Sequence, residues 1–288
     1  MTHADLNDLR IEPLDREGFF VLIDWAKQEG WNPGIHDAEA FWTQDPEGFL
    51  GIHKGEELIA GGSIVSYDGT FGFMGFFIVK PAFRGHGLGR RLWVHRRDAL
   101  LQRLQPAAAI GMDGVVDMQP FYTQGGFNKQ FANVRFRLAG NKVESHPNVV
   151  RGVGPEDELL AFDKSCFLFD RPRFLASWWS QPGGAVFRYV ENGVTVGYAT
   201  LRLATEGHRI GPLFANHPNA AHALVQACRS EVPGGHVDLD IPMANPKAVA
   251  LVEALGGEAV FECVRMVHGK VPQWPLERIY GITSFELG

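Results

Sequence analysis

The segment Arg84-Gly85-His86-Gly87-Leu88-Gly89 constrains this chain more than any other, because of what flanks it. Upstream, Phe76-Phe77-Ile78-Val79 reads as a strand running into Lys80-Pro81. Downstream, Leu88, Leu92, Ala99 and Leu100 recur at helical spacing to about Leu104, with five arginines between Arg90 and Arg103. A glycine loop at a strand-to-helix junction presents bare amides and the positive end of a helix dipole, a ready anion site. Glycines at 85, 87 and 89 let the backbone take positive φ and approach a phosphate, and Arg84 can add a bidentate contact. Spacing excludes two commoner phosphate loops. A dinucleotide fingerprint needs glycine where Arg90 stands, and a P-loop needs Gly-Lys followed by Ser or Thr.

Around that junction the first half alternates strands and helices. Leu9 to Leu14 alternates like a strand, and Asp15 can cap a helix that Gly30 ends. Trp31-Asn32-Pro33-Gly34 is a turn, and a short helix from Asp37 to Thr43 opens on an aspartate. Phe49 to His53, Leu58 to Ser66 and Phe71 to Val79 each read as one strand. After the long helix come a strand at Ala107 to Met112, a short helix at Met118 to Gln124 and a strand at Val134 to Leu138. A mixed sheet with helices on both faces follows, an α/β/α sandwich.

Gly140 to Pro147 reads as a linker, after which the order begins again: helices at Glu156 to Asp163 and Arg171 to Trp179, then strands at Val186 to Val190, Val194 to Leu203 and Arg209 to Phe214. Helix Ala220 to Val232, strand Val237 to Ile241, helix Pro246 to Leu255 and strand Glu262 to Val267 complete it. At an offset of about 130 residues Gly125-Gly126 matches Gly256-Gly257, and Val134-Arg135-Phe136 matches Val264-Arg265-Met266, so the halves read as an internal duplication. The expected domains are 1–140 and 148–288, and the segment Lys270 to Gly288 is left without a place.

Length and composition agree with two soluble domains. The chain has 288 residues, 45% apolar and 21% charged, with seven Trp and 21 Phe to fill cores. No apolar run approaches the roughly 18–20 residues of a membrane span, and Met1-Thr2-His3-Ala4-Asp5 lacks the marks of a secretory signal. Three cysteines without a CxxC argue against a disulfide framework or zinc ribbon, and a cytoplasmic location is expected. A net charge of −6 speaks against nucleic-acid binding and suits a cationic small substrate.

The stretch Val79-Lys80-Pro81-Ala82-Phe83-Arg84-Gly85-His86-Gly87-Leu88-Gly89 resembles the pyrophosphate motif of the GNAT superfamily of N-acetyltransferases, Arg/Gln-x-x-Gly-x-Gly/Ala. Phe121-Tyr122-Thr123-Gln124-Gly125-Gly126-Phe127 resembles the Tyr-x-x-x-Gly-Phe segment of that family, about 35 residues downstream. The chain as a whole is similar to a branch in which a GNAT domain is followed by a second, YitH-type GNAT-like domain. Trp31-Asn32-Pro33-Gly34, Asp45-Pro46-Glu47-Gly48-Phe49, Arg209-Ile210-Gly211-Pro212-Leu213 and Asp238-Leu239-Asp240-Ile241-Pro242 carry that likeness, with Asn245 and Arg265-Met266.

The resemblance implies two tandem GNAT folds, the first one catalytic. It implies direct transfer of an acetyl group from acetyl-CoA, the cosubstrate, to an amine of a small molecule or peptide, with no covalent intermediate, metal or redox cofactor. It places the pyrophosphate on Arg84, Gly85, His86, Gly87, Leu88, Gly89 and Arg90, and the pantetheine arm along a splayed strand at Phe77, Ile78 and Val79. Arg91 could also reach the phosphates. Tyr122 becomes the acid for the departing thiolate, a transfer uphill by about 2 kcal/mol that nearby positive charge would ease. An alkylamine must lose a proton at a cost of about 4.6 kcal/mol at neutral pH if unaided, yet Phe71 to Val79 contains no acid. Asp113 and Asp117 are candidate bases, His36, His53 or a water chain are others, and a substrate of low pKa would need none. Asp117 equally suits a helix cap.

In the second half Ala215-Asn216-His217-Pro218-Asn219-Ala220 replaces the glycine loop, and Val252 or Glu253 stands where Tyr122 would be. That half therefore reads as a buttress, with Asp238, Asp240 and Asn245 either lining an acceptor pocket or serving as caps and strand-end polar groups. No nucleic-acid or membrane partner is expected, and a monomer or homodimer suits the chain. The competing readings are a longer acyl donor, a non-catalytic acyl-CoA-binding or regulatory module, and a structural pseudo-enzyme.

Overall fold

The computed structural model describes residues 9–288, so the N-terminal segment read above for a secretion signal lies outside the described residues. The first half runs β1 (Arg10–Pro13), α1 (Arg16–Gln28), α2 (Asp37–Gln44), β2 (Phe49–Lys54), β3 (Glu57–Ser63), β4 (Val65–Tyr67), β5 (Phe71–Phe73), β6 (Ile78–Val79), α3 (Leu88–Arg103), β7 (Ala109–Val115), α4 (Gln119–Gln124) and β8 (Asn128–Ala139). The second half runs β9 (Val149–Arg151), α5 (Glu156–Phe167), α6 (Pro172–Trp179), β10 (Ala185–Glu191), β11 (Val194–Leu203), β12 (His208–Ala215), α7 (Pro218–Ser230), β13 (His236–Pro242), α8 (Pro246–Ala254), β14 (Glu258–His268) and β15 (Ile279–Gly281). No helix among the described residues is long and apolar enough to cross a membrane.

Local chemistry accounts for the ends of several elements. Asp15 accepts the Gly18 amide at 2.8 Å and opens α1, whose Phe19, Leu22, Trp25 and Ala26 are buried. Asp37 does not cap α2 as expected. It is buried at the first helical position, takes the Gly34 amide and pairs with Arg202 of β11.

Two segments read as single strands are each divided between two sheets. Leu58 to Ser66 breaks at Ile64 into β3 and β4, and Phe71 to Val79 breaks at Met74–Phe77 into β5 and β6. β1, β2, β3 and β6 form a small sheet, and β4 and β5 belong to a larger one of eleven strands. Ser63 and Gly75 tie the two breaks together: the Ser63 amide donates to Gly75 O, and the Gly75 amide to Ser63 Oγ, both at 2.9 Å. Phe76 has φ +49°, costly for a bulky side chain, but its ring is buried against Phe19 and Phe41.

The large sheet crosses from one half to the other by exchanging strands. Its order is β4-β5-β7-β14-β8-β13-β12-β11-β10-β9, with β15 on β12. Thus β14 pairs with β7 of the first half, while β8 pairs with β13 of the second. A pair of buried ion pairs fastens the exchange. Arg265 on β14 grips Asp113 on β7 in a bidentate contact, and Arg135 on β8 grips Asp240 on β13 likewise. Each contact lies about 130 residues from its counterpart, so the duplication in the sequence is a duplication of structure.

Residues 270–288 run between the halves. A short turn at Leu276–Arg278 leads into β15, which pairs with Leu213 and Phe214 of β12, and every residue from Ile279 to Gly288 is buried.

Candidate active site

The break in the Phe71–Val79 strand opens the site. β5 pairs in parallel with β7 through Phe71, Gly72 and Phe73, and the Met74 amide still reaches Gly111 O. Beyond the Phe76 bulge, β6 pairs only with β3 among the described strands. Its other edge borders a cleft of ≈ 500 Å³ between the two sheets. Phe77, Ile78 and Val79 line this cleft, as do Gly85, Gly89 and Arg90 at its mouth.

At that mouth the chain turns through Gly85 at φ +81° and Gly87 at φ +79° into α3. Gly87 occupies the cap position and offers no side chain to the helix. The first helical hydrogen bond is Arg91 N to Gly87 O, so the amides of Leu88, Gly89 and Arg90 precede it and carry the partial positive charge of the helix end. A side chain added at Gly85 or Gly87 would meet open space, so these glycines serve the backbone turn rather than relieve a crowded neighbour.

The basic residues of this region divide. Arg84 donates to Val79 O at 2.8 Å and pairs with Glu29, which ties the loop to β6 and α1. Arg90 lies over the Phe121 ring at the cleft wall, and Arg91 donates to Leu9 O. His86 is exposed.

Arg96, absent from the sequence reading, is fully buried in the cleft wall, where it donates to Ser63 O and Gly75 O. Its remaining Nε and Nη1 have no partner. Burial pulls this guanidinium down to about 9, which leaves it charged at neutral pH. Nothing in the local sequence distinguishes it from the other four arginines between Arg90 and Arg103.

Tyr122 stands in the same cleft, 4% exposed, with its ring against Trp93 at 4.9 Å. A Cβ on Gly114 would lie 2.6 Å from that ring, so glycine on β7 makes the room. The hydroxyl bonds to no described side chain or backbone group. Burial raises the phenol above its ordinary range, and Arg96 only partly opposes this. The expected easing by positive charge is therefore outweighed by desolvation. A thiolate brought into the same cleft would be raised by the same cause, so the difference between donor and acceptor matters more than either value.

The candidate bases separate cleanly. Asp113 borders the cleft, but Arg265 holds both of its oxygens and Asn133 donates to one of them at 2.8 Å. Burial pushes its carboxyl up, against the pull of Arg265. Asp117 is exposed in the turn Val116–Met118, outside the cleft lining, and gives α4 no side-chain cap. His36 and His53 also lie outside the lining, His53 within 3.9 Å of Glu12. Instead the tail brings Glu286 into the cleft, 4% exposed, with Oε2 unpartnered. No local motif marks this residue, which stands alone between Phe285 and Leu287 near the end of the sequence.

The equivalent region of the second half is closed. β12 leaves β13 after three parallel pairs, His208 to Ile210, as β5 leaves β7 after three. There, β15 fills the edge at Leu213 and Phe214. The N-terminus of α7 is capped by His217, whose Nδ1 accepts the Ala220 amide at 3.2 Å. The bonds Phe127 N to Tyr122 O and Gly257 N to Val252 O are equivalent, which identifies buried Val252 as the counterpart of Tyr122. Asp238 pairs with Arg137 and Asp240 with Arg135 and Arg209, while Asn245 caps α8 and donates to Ile279 O. All three hold the fold together.

Cys166, Cys228 and Cys263 are free and buried. Among the described residues no cluster of His, Cys, Asp or Glu is arranged to hold a metal ion.

Comparison with known proteins points the same way. A model of the acetyltransferase (GNAT) family matches residues 12–127, and a model of an acetyltransferase (GNAT) domain matches residues 159–281. The chain is 30% identical over 280 residues to the holothin acyltransferase of Pseudoalteromonas sp. (strain SANK 73390), covering 96% of this chain and 94% of the relative. Its fold is similar to that of a candidate acetyltransferase from Pyrococcus horikoshii (TM-score 0.84, 20% identity, covering 98% and 96% of the two chains). A tandem GNAT protein from the clavulanic acid biosynthesis pathway is also similar (TM-score 0.63, 14% identity, covering 92% and 99%).

Proposed function

Because the chain belongs to the GNAT family of acetyltransferases and is an acyltransferase, we propose that its first half binds acetyl-CoA in the cleft beside β6 and passes the acetyl group to a primary amine of a small molecule or peptide. One observation carries this reading: the unpaired edge of β6 runs directly to the bare amides at the start of α3. An extended pantetheine arm needs backbone partners along its length, and a pyrophosphate needs amides at its end. The two lie in series here and nowhere in the second half, where β15 and His217 take the corresponding places.

The acetyl carbonyl then sits near the bulge at Gly75–Phe77, where a backbone amide would stabilise the developing oxyanion. Tyr122 is the proton donor for the leaving sulfur. Direct attack is favoured over an acyl-cysteine route because burial and the carboxylates of Asp113 and Asp240 hold the Cys263 thiol well above its ordinary range, protonated and poorly nucleophilic. The acceptor end of the cleft is walled by Trp31, Phe261 and Phe285, which suits an amine carried on an apolar scaffold.

The test is thiol release from acetyl-CoA across a panel of alkyl- and arylamines, with product identified by a mass gain of one acetyl group. Release dependent on both amine and protein supports transfer. Tight acetyl-CoA binding with no release across the panel would favour a binding module instead.

A further inference from the structure

We propose that Glu286, delivered by the C-terminal tail of the second half, is the base that takes the proton from the acceptor nitrogen in the cleft of the first half. The proposal deepens the acyltransferase reading and rests on it. Of the three carboxylates that line the cleft, two are engaged: Glu29 pairs with Arg84 at the mouth, and Asp113 is clamped by Arg265 and Asn133. Glu286 accepts no hydrogen bond. Its nearest cation is Arg209, with Nη1 4.0 Å from Oε1, and that guanidinium is committed to Asp240 and to Asn32 O.

The tail fixes this carboxyl in place. Arg171 donates to Thr283 Oγ1, the Ile282 amide to Asp240 O, the Leu287 amide to Ser284 Oγ, and Tyr67 to Leu287 O at 2.7 Å. Phe285 packs on Phe261 at 5.7 Å and beneath Arg135 at 5.0 Å. The carbonyl of Glu286 abuts Gly75, at the bulge where the thioester carbonyl is expected. The residue thus stands beside the reacting atoms on a rigid support, with Tyr122 in the same cleft.

The charges facing Glu286 are Arg209, Arg135 and Arg202 on one side of the balance and Asp37 and Asp240 on the other, with the Cys263 thiol nearby. Burial pushes its carboxyl above the usual range, and the Arg209 and Arg135 guanidiniums restrain that rise. A carboxylate so placed is a stronger base than one in water.

The step balances as follows. The neutral amine nitrogen bonds to the thioester carbonyl carbon, and the proton it then loses passes to the Glu286 carboxylate. The carbon–sulfur bond breaks, and the sulfur takes a proton from the Tyr122 hydroxyl. Solvent returns the proton from Glu286 to Tyr122, leaving amide and free thiol.

The experiment compares wild type, Glu286→Gln and Glu286→Asp with acetyl-CoA and two acceptors, benzylamine and p-toluidine, measuring kcat/KM from pH 5 to 9 and acetyl-CoA affinity by calorimetry. Glu286→Gln keeps the shape of the tail, so acetyl-CoA affinity and melting temperature should hold. Turnover should fall roughly 100- to 1,000-fold, and with p-toluidine, which is neutral over most of this range, the acid limb of the pH profile should disappear; Glu286→Asp should restore part of the rate and the limb. Turnover within about threefold of wild type in Glu286→Gln with the acid limb intact overturns the base assignment alone. Failure of wild type to bind acetyl-CoA would remove the acyl-transfer reading beneath it.

Discussion

A Cβ placed on Gly75 would lie 2.3 Å from the carbonyl oxygen of Glu286, so the bulge that opens the cleft and the tail that closes its far side fit only because residue 75 has no side chain. The contact is backbone to backbone and cannot relax by rotating a side chain. Gly75→Ala should therefore displace the tail. Overpacking of this kind costs about 1–3 kcal/mol, readable as a lower urea midpoint, and turnover should fall further than stability does because Glu286 moves with the tail.

The Asp113–Arg265 pair should prove structural. Removing one partner leaves a buried charge unpaired, a loss on the order of 3–5 kcal/mol, so Asp113→Ala should lower the urea midpoint sharply. The double variant Asp113→Leu with Arg265→Met should recover most of that loss. Activity per mole of folded protein should stay within a few-fold of wild type in the double variant; a loss of several hundredfold would make Asp113 a participant in the chemistry.

Asp240 gives the exchange of strands a pH signature. Burial alone would raise its carboxyl, but Arg135 and Arg209 overcome this and hold it down to about 2. The unfolded chain titrates near 3.9, so between about pH 4 and 2 the unfolded state binds more protons than the folded one. The stabilisation from this group is complete above about pH 4 and is lost as pH falls through about 2, a contribution on the order of 2–3 kcal/mol. Equilibrium unfolding of wild type and Asp240→Asn across pH 2–6 should show the wild-type slope reduced in the variant.

Tyr122→Phe should leave acetyl-CoA affinity and stability nearly unchanged, since the hydroxyl bonds to no described group, while kcat falls on the order of 100-fold or more. Because burial raises the phenol, the wild-type rate should show no loss up to about pH 10 from ionisation of this residue. The kcat–pH profile of both proteins checks the two statements together.

Features carried by short stretches were legible in the sequence. The glycine loop, the helix it opens and most elements of both halves stand where periodicity and turn residues put them, apart from the two divided strands and from β9 and β15, which had not been read. The repeat also announced itself through Arg135 and Arg265, although their common task of gripping Asp240 and Asp113 across exchanged strands depends on contacts more than 100 residues apart. The division of Phe71–Val79 could not be read, because Phe76 is a poor residue for positive φ and its bulge is imposed by tertiary packing against Phe19 and Phe41. Arg96 was hidden among four other arginines on α3, each partly or fully exposed. Glu286 sits in a segment with no periodic pattern, and only the path of the tail between the halves gives it a role.

Calorimetric titration of acetyl-CoA into wild type and Gly87→Val tests directly whether the amides at the start of α3 hold the cofactor. Gly87 has φ +79° and open space around it, so a β-branched residue strains the turn locally and leaves the core untouched. The expected result is saturable binding to wild type, an affinity loss of roughly 100-fold or more in the variant by analogy with a lost charge-assisted anion contact, and a nearly unchanged melting temperature. Equal affinity in the two proteins would place the cofactor elsewhere and contradict the account.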